Sequence, residues 1–561
     1  MFSKLQAIDL FAGAGGLSYG FEQTGKVETR LAVEINRHAQ RTFKRNHPQS
    51  QVIGDIKRLN YSDLNARYPN IDLVIGGPPC QGFSNANRQK NALISGNNQL
   101  IREFVKSVER LNPRAFVMEN VKGLASGNHK FFVSRADKAE LHRLGIATSI
   151  ESFSIGKSLR LGNDLVSFIK GHQYGRQYLM ADSMYSKLYL LSKYIGSNKG
   201  RAFLTKNADF FSKATTKWGR YHSQYWCPSY FGSWERIRLG LERWYSGLDS
   251  DDFDPEFVAD LREVIESQRV FRKIRELDDY AVDLVDISIN DTDVSIKVMT
   301  YKVLDYVVRK LAACGYEVRQ SVLNAADFGV PQIRERLFVI GIRRDSLRNN
   351  DTVRFPSPIM KSSDEYFTVG DAIQDLAETN PSFDLDCSPI PNNYTGECAN
   401  ALAMYLNDTK TLHNHVVTQS TDIARNRFSK LSPGQNFHDL DDKYKSSYTN
   451  ANRTQNTIYF RLTYEKASKS VCNVRKSMWI HPMLDRAVSI REAARLQSFP
   501  DSYVFEGTKD SQYQQIANAV PPLLARAVAE QILDQLGYSV ETPLELVLGK
   551  NKELSRVLTL F

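Results

Sequence analysis

Cysteine is scarce, with six in 561 residues. A disulfide framework needs denser, paired spacing, so each cysteine has to be explained singly. Long apolar runs are missing as well: no stretch approaches the roughly 18 uninterrupted apolar residues of a membrane-spanning helix. The N-terminus, MFSKLQAIDLF, lacks the form of a secretory signal, because its apolar run leads straight into a glycine-rich loop. We find neither an internal repeat nor a low-complexity tract, and no convincing metal-binding set. These absences argue against a stapled secreted scaffold, a helical membrane protein and a metal-dependent nuclease, and they predict a cytoplasmic location. What is present is a globular composition, 42% hydrophobic, in a chain long enough for two or three domains. A formal charge of +10 favours a polyanionic partner, although many basic proteins bind no nucleic acid.

The first part of the chain alternates strands and helices. AIDLFAG, ETRLAVEIN, IDLVIGG and RAFVMENV read as apolar strands. Between them GLSYGFEQTG, RHAQRTFKRNHP and LIREFVKSVERLNP read as helices, the last with Leu100, Phe104, Val105, Val108 and Leu111 on one face. Such alternation implies an α/β fold with a doubly wound, mostly parallel sheet and ligands at the carboxyl ends of its strands. The middle, about 128–298, is polar and aromatic-rich without that alternation. YKVLDYVVRKLAACGYEV then predicts a helix ending at Gly315, and RLFVIGIRR a returning strand. From about 345 to 485 Ser, Asn and Thr dominate, with short β-like runs such as TIYFRLTY. The tail holds SIREAARLQSFPD, a helix start with a proline stop, and YQQIANAVPPLLARAVAEQIL, a loop into a long helix.

Several residues fall where chemistry is expected. Gly13, Gly15 and Gly16 occupy the turn after the first strand, where positive φ and close backbone approach are allowed. The spacing departs from G-x-G-x-x-G, so alone it indicates only a tight turn. Glu34 ends the second strand, where an acid can bind ribose hydroxyls, and Asp55 ends a third, within reach of an adenine amino group. Either acid alone is as readily a surface cap. Cys80, in LVIGGPPCQGFS, follows a buried strand and so sits at the ligand edge of the sheet. It is either an inert thiol or a nucleophile whose surroundings lower its pKa. Glu119 ends the next strand with Asn120 beside it, and Arg334 and Arg336 share one face of an extended segment.

FAGAGG, VEIN, GDI, GGPPCQGFS, FVMENVKGL, QIRERLFVIG, SIREAARLQSFPD and QIANAVPP together resemble, in order, the DNA (cytosine-5) methyltransferase family. The resemblance covers roughly 5–123, 303–343 and 486–533. It implies a Rossmann-like fold dependent on S-adenosylmethionine, a smaller target-recognition domain, and methyl transfer to carbon 5 of a flipped-out cytosine. By the same resemblance Cys80 adds to carbon 6, Glu119 protonates or hydrogen-bonds ring nitrogen 3 with a raised pKa, and Arg336 holds the cytosine carbonyl oxygen. Arg334 joins the catalytic set as a support for the loop or for a phosphate. Cofactor contacts carry over to Phe11, Gly13, Gly15, Glu34, Ile35, Asp55, Ile56, Pro79 and Asn518. The loop 81–99 becomes a lid over the flipped base. Ala517 departs from the family's usual glycine, at a cost of about 1 kcal/mol if that position needs positive φ.

The implied organisation is catalytic domain 1–127, insertion 128–298, catalytic domain 299–344, target-recognition domain 345–485 and catalytic domain 486–561. Arg425, Arg427, Lys430, Arg453 and Arg461 are candidate DNA contacts or a solvated face. Within the insertion, basic residues interleave with Trp218, Trp226, Trp234 and Trp244. That mixture suits either nucleic-acid contact or the core of a small accessory domain. The expected partners are double-stranded DNA and a cognate restriction endonuclease, with no membrane, for a nucleoid-associated monomer. An RNA methyltransferase on the same scaffold and an inactive DNA-binding regulator remain the alternatives. A nicotinamide-dependent oxidoreductase is disfavoured by PPCQ and the glycine spacing.

Overall fold

The computed structural model describes residues 4–79, 96–127, 129–171, 179–217, 227–246, 253–348, 351–387, 389–392, 400–448 and 450–549. Strands are numbered in chain order: β1 Leu5–Leu10, β2 Val27–Val33, β3 Gln51–Ile53, β4 Leu73–Gly76, β5 Ala115–Val121, β6 Lys130–Phe132, β7 Thr148–Gly156, β8 Leu284–Asn290, β9 Asp293–Lys302, β10 Tyr316–Asn324 and β11 Glu335–Arg343. The chain divides into two compact units, 1–80 with 99–126 and 307–561, and 81–98 with 127–306.

The first unit is built on a seven-stranded sheet of order β10-β11-β5-β4-β1-β2-β3. β4, β1, β2 and β3 run parallel to β5, whereas β11 runs antiparallel to both β5 and β10. β4 is buried at every residue and β1 at all but one. That is the pattern of strands covered on both faces, and it explains why they read as unbroken apolar runs. The result is the doubly wound α/β architecture that the alternation predicts. The helix Gly96–Leu111 begins four residues before the periodic stretch, at Gly96.

The C-terminal part closes the sheet. Gly20, in the helix Gly16–Glu22, has space for no side chain: a Cβ there would lie 2.5 Å from both Ala525 Cβ and the Pro522 carbonyl of the helix Pro522–Gln535. YQQIAN belongs to a helix of its own, Lys509–Asn518, where a loop was expected. The helix Ile490–Leu496 is buried along its whole length, and Ser489 and Glu492 form its capping box. Its charges are matched in place. Arg495 donates to Asp501 (2.6 Å) and Asp375 (2.7 Å), Glu492 accepts from Arg486 (2.6 Å), and Arg491 is spent on carbonyls of His413, Pro500 and Tyr503. Burying these groups costs little only while every one is paired.

Among the described residues of 345–485 the β-like runs form no sheet larger than one two-stranded ladder. TIYFRLTY contributes a single bridge, Arg461 with Ile480, and a two-residue ladder joins Ile390–Pro391 to Thr411–Leu412. A separate small core forms here from Ala424, Phe428, Leu431, Phe437, Leu440, Tyr459 and Ile480. Apolar and aromatic residues were present, but they pack against the helix Asp422–Phe428 and short turns instead of pairing as strands.

The second unit is an antiparallel sheet with a helical layer. β9 pairs with β7 along its length, with β8 over 293–298 and with β6 over 300–302. The helices Gly162–Gly171, Asp182–Tyr194, Asn198–Lys206, Ala208–Lys217, Phe231–Tyr245 and Pro255–Asp279 supply most of its core. Trp234 is buried in that core and Trp244 packs against it, as in an accessory domain; Trp218 and Trp226 lie outside the described residues.

Arg495→Ala strands Asp501 in the interior, so it should lower unfolding free energy by about 3–5 kcal/mol in urea titrations. Arg30→Ala, which removes a surface pair with Glu28, should change it by less than about 1 kcal/mol.

Candidate active site

The expected cofactor residues come together because parallel strands end on one edge of the sheet. Phe11, Gly13 and Gly15 follow β1, all with positive φ (61°, 56° and 94°), and Phe11 bears the strain that glycine avoids. A Cβ on Gly13 would meet nothing within 4 Å, so this turn borders open space. The Gly13 amide donates to Glu34 Oε2 (2.9 Å) and the Asn36 amide to Oε1 (2.7 Å), which fixes the carboxylate just beyond β2. Burial lifts its pKa above the ordinary range even so. Ile35 beside it is 75% exposed, an unusual position for so large an apolar side chain. Asp55, beyond β3, caps the Lys57 amide at 3.0 Å. Ile56 is buried, so only its backbone can face a ligand, and Pro79 is half-buried after β4. Asn518 is exposed at the end of its helix and accepts from Gln514 at 2.9 Å.

The neighbouring strand ends carry the acid and the arginines. Asn120 Nδ2 donates to the Pro78 carbonyl at 2.8 Å, which holds the turn leading out of β4. Glu119 lies beside the same turn: a Cβ on Gly77 would come within 3.0 Å of Glu119 Oε2. On β11, Phe338 is directly opposite Glu119 and Arg336 opposite Val121, which makes Arg336 and Glu119 diagonal neighbours on one face. Arg336 Nε is 3.1 Å from Glu119 Oε1. Burial raises the pKa of Glu119, and the cations of Arg336 and Arg334 offset only part of that rise. Cys80 and residues 81–95 of the expected lid lie outside the described residues, and 96–99 open a helix.

Arg334 shares the inward face with Arg336, as the alternation predicts, but it is fully buried rather than exposed to a substrate. It donates to the carbonyls of Val471 (3.1 Å), Ala517 (2.8 Å) and Ala519 (3.1 Å). Burial and the Arg336 charge push its pKa down to about 9. Of the two supporting roles expected of it, the geometry gives it the loop. The Ala517–Val520 turn it clamps also touches the glycine turn, since a Cβ on Gly16 would lie 2.3 Å from the Val520 carbonyl. Ala517 is helical and has no positive φ, so the expected strain of alanine does not arise. Two of the candidate DNA contacts are corrected as well. Arg427 is buried, bonded to Tyr444 and Tyr459, and Arg461 is buried and donates to the carbonyls of Phe428 and His481. Arg425, Lys430 and Arg453 remain exposed.

Three groups near the glycine turn escaped the sequence reading. The Tyr503 hydroxyl donates to the Ala14 carbonyl, inside the turn. His47 lies 3.3 Å from that hydroxyl through Nε2 and 2.7 Å from Glu22 through Nδ1. Asp9 accepts from the Ser18 hydroxyl at 2.6 Å while its Oδ1 has no partner, and burial drives its pKa up to about 7. Tyr503 and Ala14 are separated by 489 residues, so local spacing holds no trace of the contact.

The sequence and this geometry coincide with one protein family. Residues 5–145 and 296–534 match the family described as C-5 cytosine-specific DNA methylase. This chain belongs to that family. The methylase match leaves out 146–295, most of the second unit. The chain is 25% identical to the type II methyltransferase M.DdeI of Desulfomicrobium norvegicum, over 94% of this chain and 88% of that one. It is 26% identical to M1.HphI of Haemophilus parahaemolyticus, over 94% and 87%. The fold matches a solved structure described as a prophage-encoded DNA modification methyltransferase (E. coli), with TM-score 0.51, 20% identity and 95% and 99% coverage. This methylase is thus a DNA (cytosine-5)-methyltransferase whose methyl donor is S-adenosylmethionine. The site suits that donor: open space over Gly13, an oriented acid at Glu34 and an exposed Ile35 fit an adenosine with its ribose hydroxyls. Among the described residues no helix is long and apolar enough to cross a membrane.

Tyr503→Phe should weaken S-adenosylmethionine binding roughly five-fold by calorimetry, because the glycine turn loses one buried hydrogen bond. For Asp9, a raised pKa means that its contribution is present at low pH and lost as pH rises through about 7. Asp9→Asn should therefore gain thermal stability relative to the parent progressively as pH rises from about 4 to about 7 and keep that gain at higher pH, as followed by melting curves.

Proposed function

We propose that Cys80 is the nucleophile and that it adds as a thiolate to carbon 6 of a cytosine flipped out of duplex DNA. The reading is supported chiefly by one observation: Glu119 is buried beside the turn that leads into Cys80, with Arg336 Nε 3.1 Å away. Glu119 gives its proton to ring nitrogen 3 as the sulfur–carbon 6 bond forms, so the ring becomes a neutral enamine rather than an anion. Arg336 holds the carbonyl oxygen. Asn120 fixes the turn through the Pro78 carbonyl, and Arg334 keeps the β11 approach and the Ala517–Val520 turn together. Phe11, Gly13, Gly15, Glu34, Ile35, Asp55, the Ile56 backbone, Pro79 and Asn518 hold S-adenosylmethionine, which when bound supplies an electrophilic methyl group. Once carbon 5 is methylated, ring nitrogen 3 returns its proton to the Glu119 carboxylate and the carbon 5 proton passes to solvent, which restores the carbon 5–carbon 6 double bond, expels the Cys80 thiolate and leaves 5-methylcytosine.

The enzyme acts on one short sequence, as a monomer in the cytoplasm at the nucleoid. The type II methyltransferases among its relatives support a role as the modification half of a restriction-modification pair, with a cognate endonuclease. Residues 345–485 read the target, with Arg425, Lys430 and Arg453 exposed for DNA. Residues 1–127, 299–344 and 486–561 form the catalytic domain.

The test is to incubate the protein with S-adenosylmethionine and mixed-sequence duplex DNA and to map every modified cytosine. Carbon 5 methylation within one motif is expected, abolished by Cys80→Ser and reduced roughly 10²–10⁴-fold by Glu119→Gln. A folded Cys80→Ser protein with undiminished methylation, or methylation at no fixed sequence, contradicts the reading.

A further inference from the structure

One stretch of the second unit is rich in cations and poor in acids. Residues 182–217 contain seven Lys or Arg (187, 193, 199, 201, 206, 213 and 217) against Asp182 and Asp209. They lie on three consecutive helices, Asp182–Tyr194, Asn198–Lys206 and Ala208–Lys217, each with a buried apolar side: Leu188 and Leu191, then Gly200 and Leu204, then Phe211. Gly200 allows the first two helices to meet closely, since a Cβ there would lie 2.5 Å from the Tyr194 carbonyl. Burial of the apolar side leaves Lys193, Lys199, Lys206 and Lys213 exposed.

Elsewhere in the same unit several cations are matched by acids. Arg160 reaches Asp260 at 2.6 Å, Arg238 reaches Glu242 at 2.7 Å, Lys138 reaches Asp283 at 2.7 Å, and Arg272 takes Asp182 at 2.6 Å. The last pair removes one of the only two acids in the basic run. Among the described residues Lys193, Lys199, Lys206 and Lys213 have no such partner within 4.0 Å; Lys193 rests over the Tyr189 ring at 4.3 Å. Tyr189 in turn stacks on Tyr185, with 12° between the rings. Unpaired like charges raise the energy of the free protein, and a polyanion relieves that. The 13-residue first helix alone is about 20 Å long, a length over which duplex DNA carries on the order of ten phosphates.

We infer that these three helices bind the sugar-phosphate backbone of duplex DNA, without reading bases, through Lys193, Lys199, Lys206 and Lys213. The inference rests on the assignment of DNA as substrate. Lysine ammoniums on flexible stems suit phosphate charge rather than base edges. The helices therefore add affinity that any sequence enjoys and leave target choice to other parts of the chain.

The experiment measures duplex binding against salt for the full-length protein and for a variant with all four lysines changed to alanine. Each lost phosphate contact lowers the slope of log affinity against log salt by about 0.9, so a fall of roughly 3–4 is expected. The methylated motif should stay the same, and changing all four to arginine should restore the slope. An unchanged slope in a folded alanine variant overturns the inference. Amine-reactive labelling of the parent protein supplies a check that needs no variant: duplex should protect these four lysines, and equal labelling with and without DNA also overturns it. A parent protein that neither binds nor methylates duplex DNA would instead sink the substrate assignment itself.

Discussion

A carboxyl group kept out of water beside a guanidinium is the constraint around which the active edge is arranged. Glu119 is squeezed between the Gly77 backbone and Arg336, and its pKa rises although two cations lie nearby. Desolvation wins because the cations are themselves committed. Arg334 is spent on backbone carbonyls, and Arg336 also donates to the Glu335 carbonyl. A carboxyl in that balance holds its proton to higher pH than an ordinary glutamate and can still meet a polar ring edge. The antiparallel β5–β11 register makes the balance possible, because it sets the two residues diagonally on one face.

The second requirement is that the C-terminal part hold the N-terminal turn. Tyr503 reaches the Ala14 carbonyl, Val520 lies against Gly16, and the helix Pro522–Gln535 lies against Gly20. Arg334 ties the same C-terminal turn to the approach of β11. The buried ion pairs of the helix Ile490–Leu496 then fix Asp375, Arg486 and Asp501 around one element. Paired charges of this kind add little net stability, but they penalise any misplacement heavily. The cofactor turn and the acid are thereby set by residues hundreds of positions away.

Much of this was readable locally. β1, β4 and β5 are covered on both faces, so their apolar runs were unambiguous, and Glu34 and Asp55 fell at strand ends because parallel strands finish on one edge. The alternation in QIRER set Arg334 and Arg336 on one face, and in the structure both are at least partly buried between the exposed Ile333 and Glu335. What local pattern could not give was depth. Arg427 and Arg461 read as DNA contacts or a solvated face and Arg334 as a support for the loop or a phosphate, but backbone carbonyls from distant segments take most of their donors and allow them inside. TIYFRLTY has strand composition but makes a single bridge, and β6 to β9 were hidden because residues 157–283 separate β7 from β8. Asp9 and Tyr503 were missed for the same reason: their importance lies in what packs on them.

The measurement closest to the central claim is the pH dependence of single-turnover methyl transfer, for the parent enzyme and for Glu119→Gln. On the proposed mechanism a proton on Glu119 is needed and its pKa is raised, so the parent rate should fall as pH climbs through that raised value. Glu119→Gln should be slower and should lose the falling limb. A falling limb that survives unchanged in the glutamine variant would contradict the account, because the titrating group would then not be Glu119.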